Sequence, residues 1–239
     1  MSYSAELLEA LRSVSSATLT TVLLKSGLRN VWIRGASELG APGQRIVAEA
    51  FTLRFVPARE DLATPESWAS PISTRAAIEA MPAGCMAIVD AAGGVADVGI
   101  FGDILAARMA TRGVAGLITD GAVRDIEGIR ATGLRVFARA VAAPPSVAGL
   151  TFVGWQQPIG CGGVAIFPGD LIVADQDGAV VIPRALVPQT VPLAVEQERF
   201  EQWVMGEVRR GVPLPGLYPP DAATKARYNA TAIPDSTTK

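Results

Sequence analysis

The chain has 239 residues, 49% of them hydrophobic, with a formal net charge of −2, so it can bury a full core in one domain and offers no basic excess for nucleic acid or a membrane surface. It contains no histidine, which excludes Ser-His-Asp and Cys-His catalysis, imidazole zinc sites and histidine bases. No apolar run approaches the ~20 residues that cross a bilayer, and the start Met1 to Glu6 lacks the basic and apolar regions of a signal peptide, so the cytoplasm is the expected location.

From Ala5 to Lys25, apolar residues at Leu7, Leu8, Leu11 and Val14, then at Leu19, Val22 and Leu23, predict two amphipathic helices, the second capped near Ser15 or Ser16. Val47 to Val56 reads as a strand ending at Pro57. A polar, irregular stretch covers 58–71, long enough to be functional or interfacial, and Ser73 to Ala80 is a short helix. Cys85 to Asp90 is a strand. A glycine-rich loop (Gly93, Gly94, Gly99, Gly102) leads to Asp103 and a helix, Ile104 to Arg112, closed by Gly113. Val114 to Thr119 is an apolar strand broken by Asp120-Gly121. Arg124 and Asp125 stand at the mouth of a helix running to about Thr132, before a strand from Leu134 to Arg139. Strands over Val164 to Ile166, Leu171 to Ala174 and Ala179 to Ile182 are joined by the turns Pro168-Gly169-Asp170 and Asp175-Gln176-Asp177-Gly178. A Glu- and Arg-rich helix from Val191 to Val208 precedes a tail with little core of its own. The expected organisation is one domain over 1–210 and a tail over 211–239, packed on its own or a neighbouring subunit. Cys85 and Cys161, each among apolar or glycine neighbours, read as buried free thiols.

The stretch from Gly102 to Asp125 is the most informative. In a β-α-β-α-β series, groups just beyond the carboxyl ends of the strands lie along one edge of the sheet, where ligands bind. Asp103, Arg124 and Asp125 should therefore converge, beside two helix starts whose unpaired N–H groups and positive dipole ends suit a small carboxylate. Each has a plainer role to set against this. An Asp after Gly at a helix start serves as an N-cap worth about 1 kcal/mol, and a solvated Arg-Asp pair is worth ~0–1 kcal/mol. Gly99 and Gly102 can simply permit a tight loop, and Asp175, Asp177 and Gly178 read as a hairpin turn, not a metal site. Only three lysines, Lys25, Lys225 and Lys239, stand against eighteen arginines, and none is well placed for a desolvated Schiff base. Carboxylate and guanidinium remain, and carboxylates with water suit a hard divalent ion.

At these residues the chain resembles the RraA-like family, which unites regulators of ribonuclease E activity with the 4-hydroxy-4-methyl-2-oxoglutarate / 4-carboxy-4-hydroxy-2-oxoadipate aldolases. The resemblance runs from about Ser13 to Pro183 and rests on Ala50 to Leu53, Gly102-Asp103, Asp120 to Asp125, Val136 to Arg139 and Pro168 to Pro183. It implies an α/β fold, a layered β/β/α single domain of the swivelling-domain type with N-terminal helices and a C-terminal helix plus tail. It also implies homotrimers or homohexamers with active sites between subunits. Aldolase members carry an Asp, twenty intervening residues and then Arg-Asp, the spacing of Asp103 to Arg124-Asp125; regulator-type members need not have the first Asp. The chain thus sides with the aldolase-type branch. Some aldolases add an acidic residue from a neighbouring subunit's C-terminal region, for which Glu196, Glu198 and Glu201 are the candidates here.

The expected activity is that of a class II, metal-dependent pyruvate aldolase cleaving a small 4-hydroxy-2-oxo acid, with oxaloacetate decarboxylation, which passes through the same enolate, as a side activity. Asp125 would hold Mg²⁺ or Mn²⁺ with waters completing the octahedron. Arg124 would donate to the carbonyl oxygen as it becomes an enolate. Gly99, Gly102, Ile104 and Leu105, with Arg124, would bind the substrate, backbone N–H groups orienting its carboxylate. Asp103, through a water, would exchange protons at the enolate carbon, and no residue is assigned to the C4 hydroxyl. The competing reading is a non-catalytic regulator that binds a ribonuclease through its surface, a role that does not need Asp103 with Arg124-Asp125.

Overall fold

The computed structural model describes residues 3–40 and 43–232. Helices α1 (Ala5–Arg12) and α2 (Ser16–Lys25) each start at a serine whose hydroxyl accepts from an N–H three residues on, Ser4 from Leu7 and Ser15 from Thr18. Then come β1 (Ser37–Glu38), β2 (Ile46–Pro57), α3 (Thr74–Ala80), β3 (Met86–Ala91), α4 (Asp103–Thr111), β4 (Gly116–Thr119), β5 (Ala122–Val123), α5 (Ile126–Ala131), β6 (Val136–Ala138) and β7 (Ala140–Val141). The chain continues through β8 (Leu150–Trp155), β9 (Ile159–Cys161), β10 (Val164–Ile166), β11 (Leu171–Asp175), β12 (Gly178–Ile182), α6 (Val187–Arg209) and α7 (Ala222–Ala232).

The main sheet runs β1-β6-β4-β3-β2-β11-β12, with β8 also on β2. Strands β2, β3, β4 and β6 are mutually parallel neighbours, as a β-α-β-α-β series requires. The edge of β2 away from β3 is shared: Ile46 to Glu49 pair with β11, and Leu53 to Pro57 pair with β8. Along β3 and β4 the side chains alternate between two apolar layers. Ala87, Val89 and Leu117 pack with Ala77, Ile78, Ala106, Met109 and Ile129 of helices α3, α4 and α5. Met86, Ile88 and Ile118 pack with Ile159, Cys161, Val164 and Ile166 of the β9–β10 ribbon. The ribbon, the sheet and the helices are the three layers of the β/β/α arrangement, and burial on both faces explains why β3 reads as one continuous apolar run. A third cluster seats α1, α2 and α6 on β11 and β12 through Leu11, Leu19, Leu23, Val173, Val180 and Val191.

Several elements differ from the sequence expectation. Strands β8 and β9 lie where no strand is predicted, because their regularity comes from pairing with β2 and β10 and not from local alternation. Helix α6 begins at Val187, earlier than expected, and runs through Pro192; burial of Val187, Thr190, Val191 and Ala194 offsets a proline penalty of about 3 kcal/mol. Beyond Gly211, α7 packs on α6, with Tyr228 edge-on to Phe200 at 5.2 Å and donating its hydroxyl to Glu196 at 2.8 Å. Residues 233–239, Lys239 among them, lie outside the described residues. Both cysteines are free and buried, and burial pushes the Cys85 thiol up to about 11. Among the described residues no single helix is long and apolar enough to cross a membrane.

Candidate active site

The site is built where the loop after β3 is laid against the loop after β4. Asp120, at the end of β4, is buried and spends both oxygens, Oδ1 accepting from Ala91 N–H at 3.0 Å and Oδ2 from Gly162 N–H at 3.0 Å. Gly121 follows, and a Cβ there would come 2.5 Å from that of Ala91, so only glycine lets the two loops touch. Residues 99–101 then run beside 122–124: Ile100 N–H donates to Ala122 at 2.9 Å and Arg124 N–H to Phe101 at 2.9 Å. This pairing is why Asp103 meets Arg124 and Asp125 across twenty intervening residues.

Asp103, Arg124, Asp125, Gly99, Gly102, Ile104 and Leu105 all line one cleft of about 340 Å³. Asp125 has left-handed backbone angles (φ 53°, ψ 45°), uncommon for a residue with a side chain. Its carbonyl accepts the first helical bond of α5, from Ile129, while its carboxylate caps nothing. Instead Oδ2 accepts from Arg124 Nε at 3.0 Å, in a pair whose side chains remain 35% and 45% exposed, so the contact is solvent-screened and cheap to rearrange. The glycines make room for this pair. A Cβ on Gly102 would lie 2.7 Å from Asp125 Oδ2, and one on Gly99 would lie 2.6 Å from Arg124 Cβ.

Asp103 is not the N-cap that its place after a glycine allows. Gly102 holds that position, without a side chain to cap, and Asp103 is the first residue of α4, its Oδ1 accepting from Ile104 N–H at 2.7 Å. The rest of its side chain lies against Gly128 of α5, where a Cβ would meet Asp103 Cβ at 2.6 Å and Oδ2 at 2.7 Å. The first-turn N–H groups of α4 have no carbonyl inside the helix to receive them, and of the residues there that line the cleft, Ile104 gives its N–H to Asp103.

Residues that sequence reasoning did not single out also line the cleft: Trp68, Arg75, Ile100, Pro145 and Ser146. Trp68 and Arg75 come from the segment between β2 and β3, and no local pattern marks them, because their position depends on how that segment folds back over the sheet. Glu196, Glu198 and Glu201 are engaged inside their own chain: Glu196 accepts from Tyr228, Glu198 from Ser15 N–H, and Glu201 from Thr18 and Tyr218. Lys25 donates to Gln197 at 3.0 Å, and neither it nor Lys225 lines the cleft.

A family model described as RraA-like, Aldolase/RraA, matches residues 7–181. A protein of Halalkalibacterium halodurans, provisionally named 4-hydroxy-4-methyl-2-oxoglutarate aldolase, is 41% identical over 111 residues, 46% of this chain and 51% of that protein. Matches to the first curated relatives cover between 31% and 55% of their lengths, so the chain spans about a third to a half of each. Among solved structures, Streptomyces coelicolor RraAS2, described as an unusual member of the RNase ES inhibitor RraA protein family, is 33% identical with a TM-score of 0.74 over 85% of this chain and 97% of that one. An uncharacterized protein from Pseudomonas syringae pv. tomato, 24% identical, shares the fold with a TM-score of 0.78 over 91% of this chain and 95% of that one.

Proposed function

This chain belongs to the RraA-like Aldolase/RraA family, and from that premise we propose that it is a divalent-metal-dependent lyase. Its substrate is a small 4-hydroxy-2-oxo acid, cleaved by a retro-aldol reaction to pyruvate or a related keto acid, with oxaloacetate decarboxylation as a side activity. The observation that carries the reading is the meeting of Asp103, Arg124 and Asp125 along one cleft, with Asp125 strained into a conformation that leaves its carboxylate unused by the helix it precedes. The aldolase name of the Halalkalibacterium relative supports the reaction class.

The donor set fits Mg²⁺ or Mn²⁺. Asp125 offers a half-exposed carboxylate in a cradle that a Cβ on Gly102 would fill. Among the described residues no three His, Cys, Asp or Glu side chains gather into a cage, so an ion here would need water or substrate oxygens beside the carboxylate. Such an ion, when bound, withdraws electron density from the substrate's carboxylate and carbonyl oxygens.

The chain's own groups account for most of the remaining chemistry. Cleavage breaks the C3–C4 bond; the C4 hydroxyl gives up its proton to solvent water and becomes a carbonyl, and the electron pair passes through C3 to the C2 oxygen. Arg124, always charged and planar, donates to that oxygen as its charge grows. The N–H groups opening α4 orient the C1 carboxylate. Asp103, through a water, returns a proton to C3 and so makes the pyruvate methyl group. A trimer or hexamer is proposed as the working assembly; Ile104, 79% exposed at the cleft, is the kind of apolar side chain that a neighbouring subunit would cover.

A second reading, a non-catalytic regulator that binds a ribonuclease, is favoured by the likeness to RraAS2. The deciding experiment incubates the protein with Mg²⁺, or with excess chelator, and a panel of 4-hydroxy-2-oxo acids plus oxaloacetate, reading pyruvate release. Metal-dependent release that borohydride does not trap on the protein supports the lyase; no release from any substrate favours the regulator.

A further inference from the structure

The cleft holds a cation that the proposed reaction does not use. Arg75, in the first turn of α3, lines it beside Trp68. Its guanidinium carbon lies 4.7 Å from the centre of the Trp68 ring, and Nη1 donates to Thr74 Oγ1 at 3.1 Å. Among the described residues no carboxylate is within ion-pair distance of it. The reason is visible in the helix. Glu79, four residues on and so on the same face, is the natural partner, but it is taken by Arg108 Nε at 2.7 Å and Nη2 at 2.8 Å and by Arg112 Nη1 at 3.1 Å. Burial lowers the Arg75 pKa, the mark of a cation held out of water without a compensating anion, though guanidinium stays charged at neutral pH. A partly desolvated planar donor, fixed on an indole face and lacking an anion, matches a carboxylate.

We infer that Arg75, held on Trp68, is a specificity-determining residue of the cleft, the group that binds the carboxylate a substrate of the oxoglutarate type carries at the end remote from its 2-oxo acid. This rests on the lyase reading for which end departs, not for the binding itself. Two guanidinium groups then divide one substrate: Arg124 faces the carbonyl that gains charge, and Arg75 faces a charge that is present throughout. Trp68 and Ser146 also line a second cavity of about 570 Å³, so the Arg75–Trp68 pair stands where a longer departing half has room to extend.

The test is calorimetric binding, in the presence of Mg²⁺, of pyruvate, 2-oxopentanoate and 2-oxoglutarate to the full chain and to Arg75→Gln and Arg75→Lys. The wild type should bind 2-oxoglutarate at least ~10-fold tighter than the uncharged-tail 2-oxopentanoate. Arg75→Gln should abolish that preference while leaving pyruvate affinity within about twofold, and Arg75→Lys should keep part of it. Equal affinity for the two longer probes in the wild type, no binding of 2-oxoglutarate, or a preference that survives Arg75→Gln would each overturn the inference. So would an Arg75→Gln protein that changes its assembly mass and not its preference, since Arg75 would then serve a subunit contact. A wild type with the Arg75-dependent preference but no lyase activity removes the proposed reaction alone; an active lyase indifferent to the distal charge removes this inference alone.

Discussion

Two acidic, glycine-bearing stretches of this chain, Asp120 to Asp125 and Asp170 to Gly178, have similar residue types and differ in what their carboxylates touch. In the second, Asp170 accepts from Phe167 and Arg184 N–H groups at 2.9 Å each. Asp175 accepts from Ser16 N–H at 2.9 Å, Ser16 Oγ at 2.6 Å, Arg45 Nε at 3.1 Å and Asp177 N–H at 3.1 Å. Both carboxylates are filled by the fold: Asp170 ties the turn before β11 to Arg184, and Asp175 holds the start of α2 against the β11–β12 hairpin. Asp120 in the first stretch is filled likewise. Asp125, five residues on, has a single donor, a half-exposed surface and a cleft in front of it. An acidic turn is thus a staple or an open site according to how many of its lone pairs the protein has already filled, which composition does not reveal.

The comparison breaks first at Asp103. Asp103→Asn should lose ~10²–10⁴-fold in turnover and in proton exchange at the pyruvate methyl group, with melting within a few degrees of wild type, because Gly102 holds the cap position and an amide oxygen can still accept from Ile104. Near-normal exchange in a folded variant would remove its assigned proton. Gly128→Ala should come next. Alanine favours the helix by about 1 kcal/mol, yet its Cβ would occupy the place of the Asp103 side chain, so turnover should fall by ~10²-fold while Mg²⁺ binding at Asp125 holds. A fully active Gly128→Ala enzyme would mean that the placement of Asp103 does not matter.

At the staple the effect should fall on stability instead. Asp175→Asn should cost about 1.5–3 kcal/mol in denaturant unfolding and leave activity per folded molecule unchanged. A drop in turnover without a loss of stability would place Asp175 in the functional machinery. The smallest effect is in pH dependence. Burial pushes the Asp175 pKa up, but donors from Ser16, Arg45 and Asp177 outweigh it and hold the carboxyl below its ordinary value. Its stabilisation is therefore complete above the ordinary carboxylate range and lost as pH falls through the lowered folded value. The acid limb of the stability curve should be shallower in Asp175→Asn than in wild type, and identical limbs would contradict the assignment.

The sequence by itself determines the parallel β3-α4-β4-α5-β6 run, the two N-terminal helices with the serine cap of the second, and the convergence of Asp103 with Arg124 and Asp125. These are legible because caps, apolar runs and glycines act over a few residues, and because strand order and handedness in such a series leave one edge for the loops to meet. Only the tertiary structure decides that Gly102 and not Asp103 caps α4, that Trp68 and Arg75 reach the cleft, and that Glu196, Glu198 and Glu201 are spent within their own chain. These depend on partners distant in the chain, or on how completely a polar group is already satisfied, and neither leaves a periodic mark in the sequence. The same holds for β8, which exists because β2 is long enough to offer it an edge, and for α6, which continues through Pro192 because the face it buries outweighs the hydrogen bond it gives up.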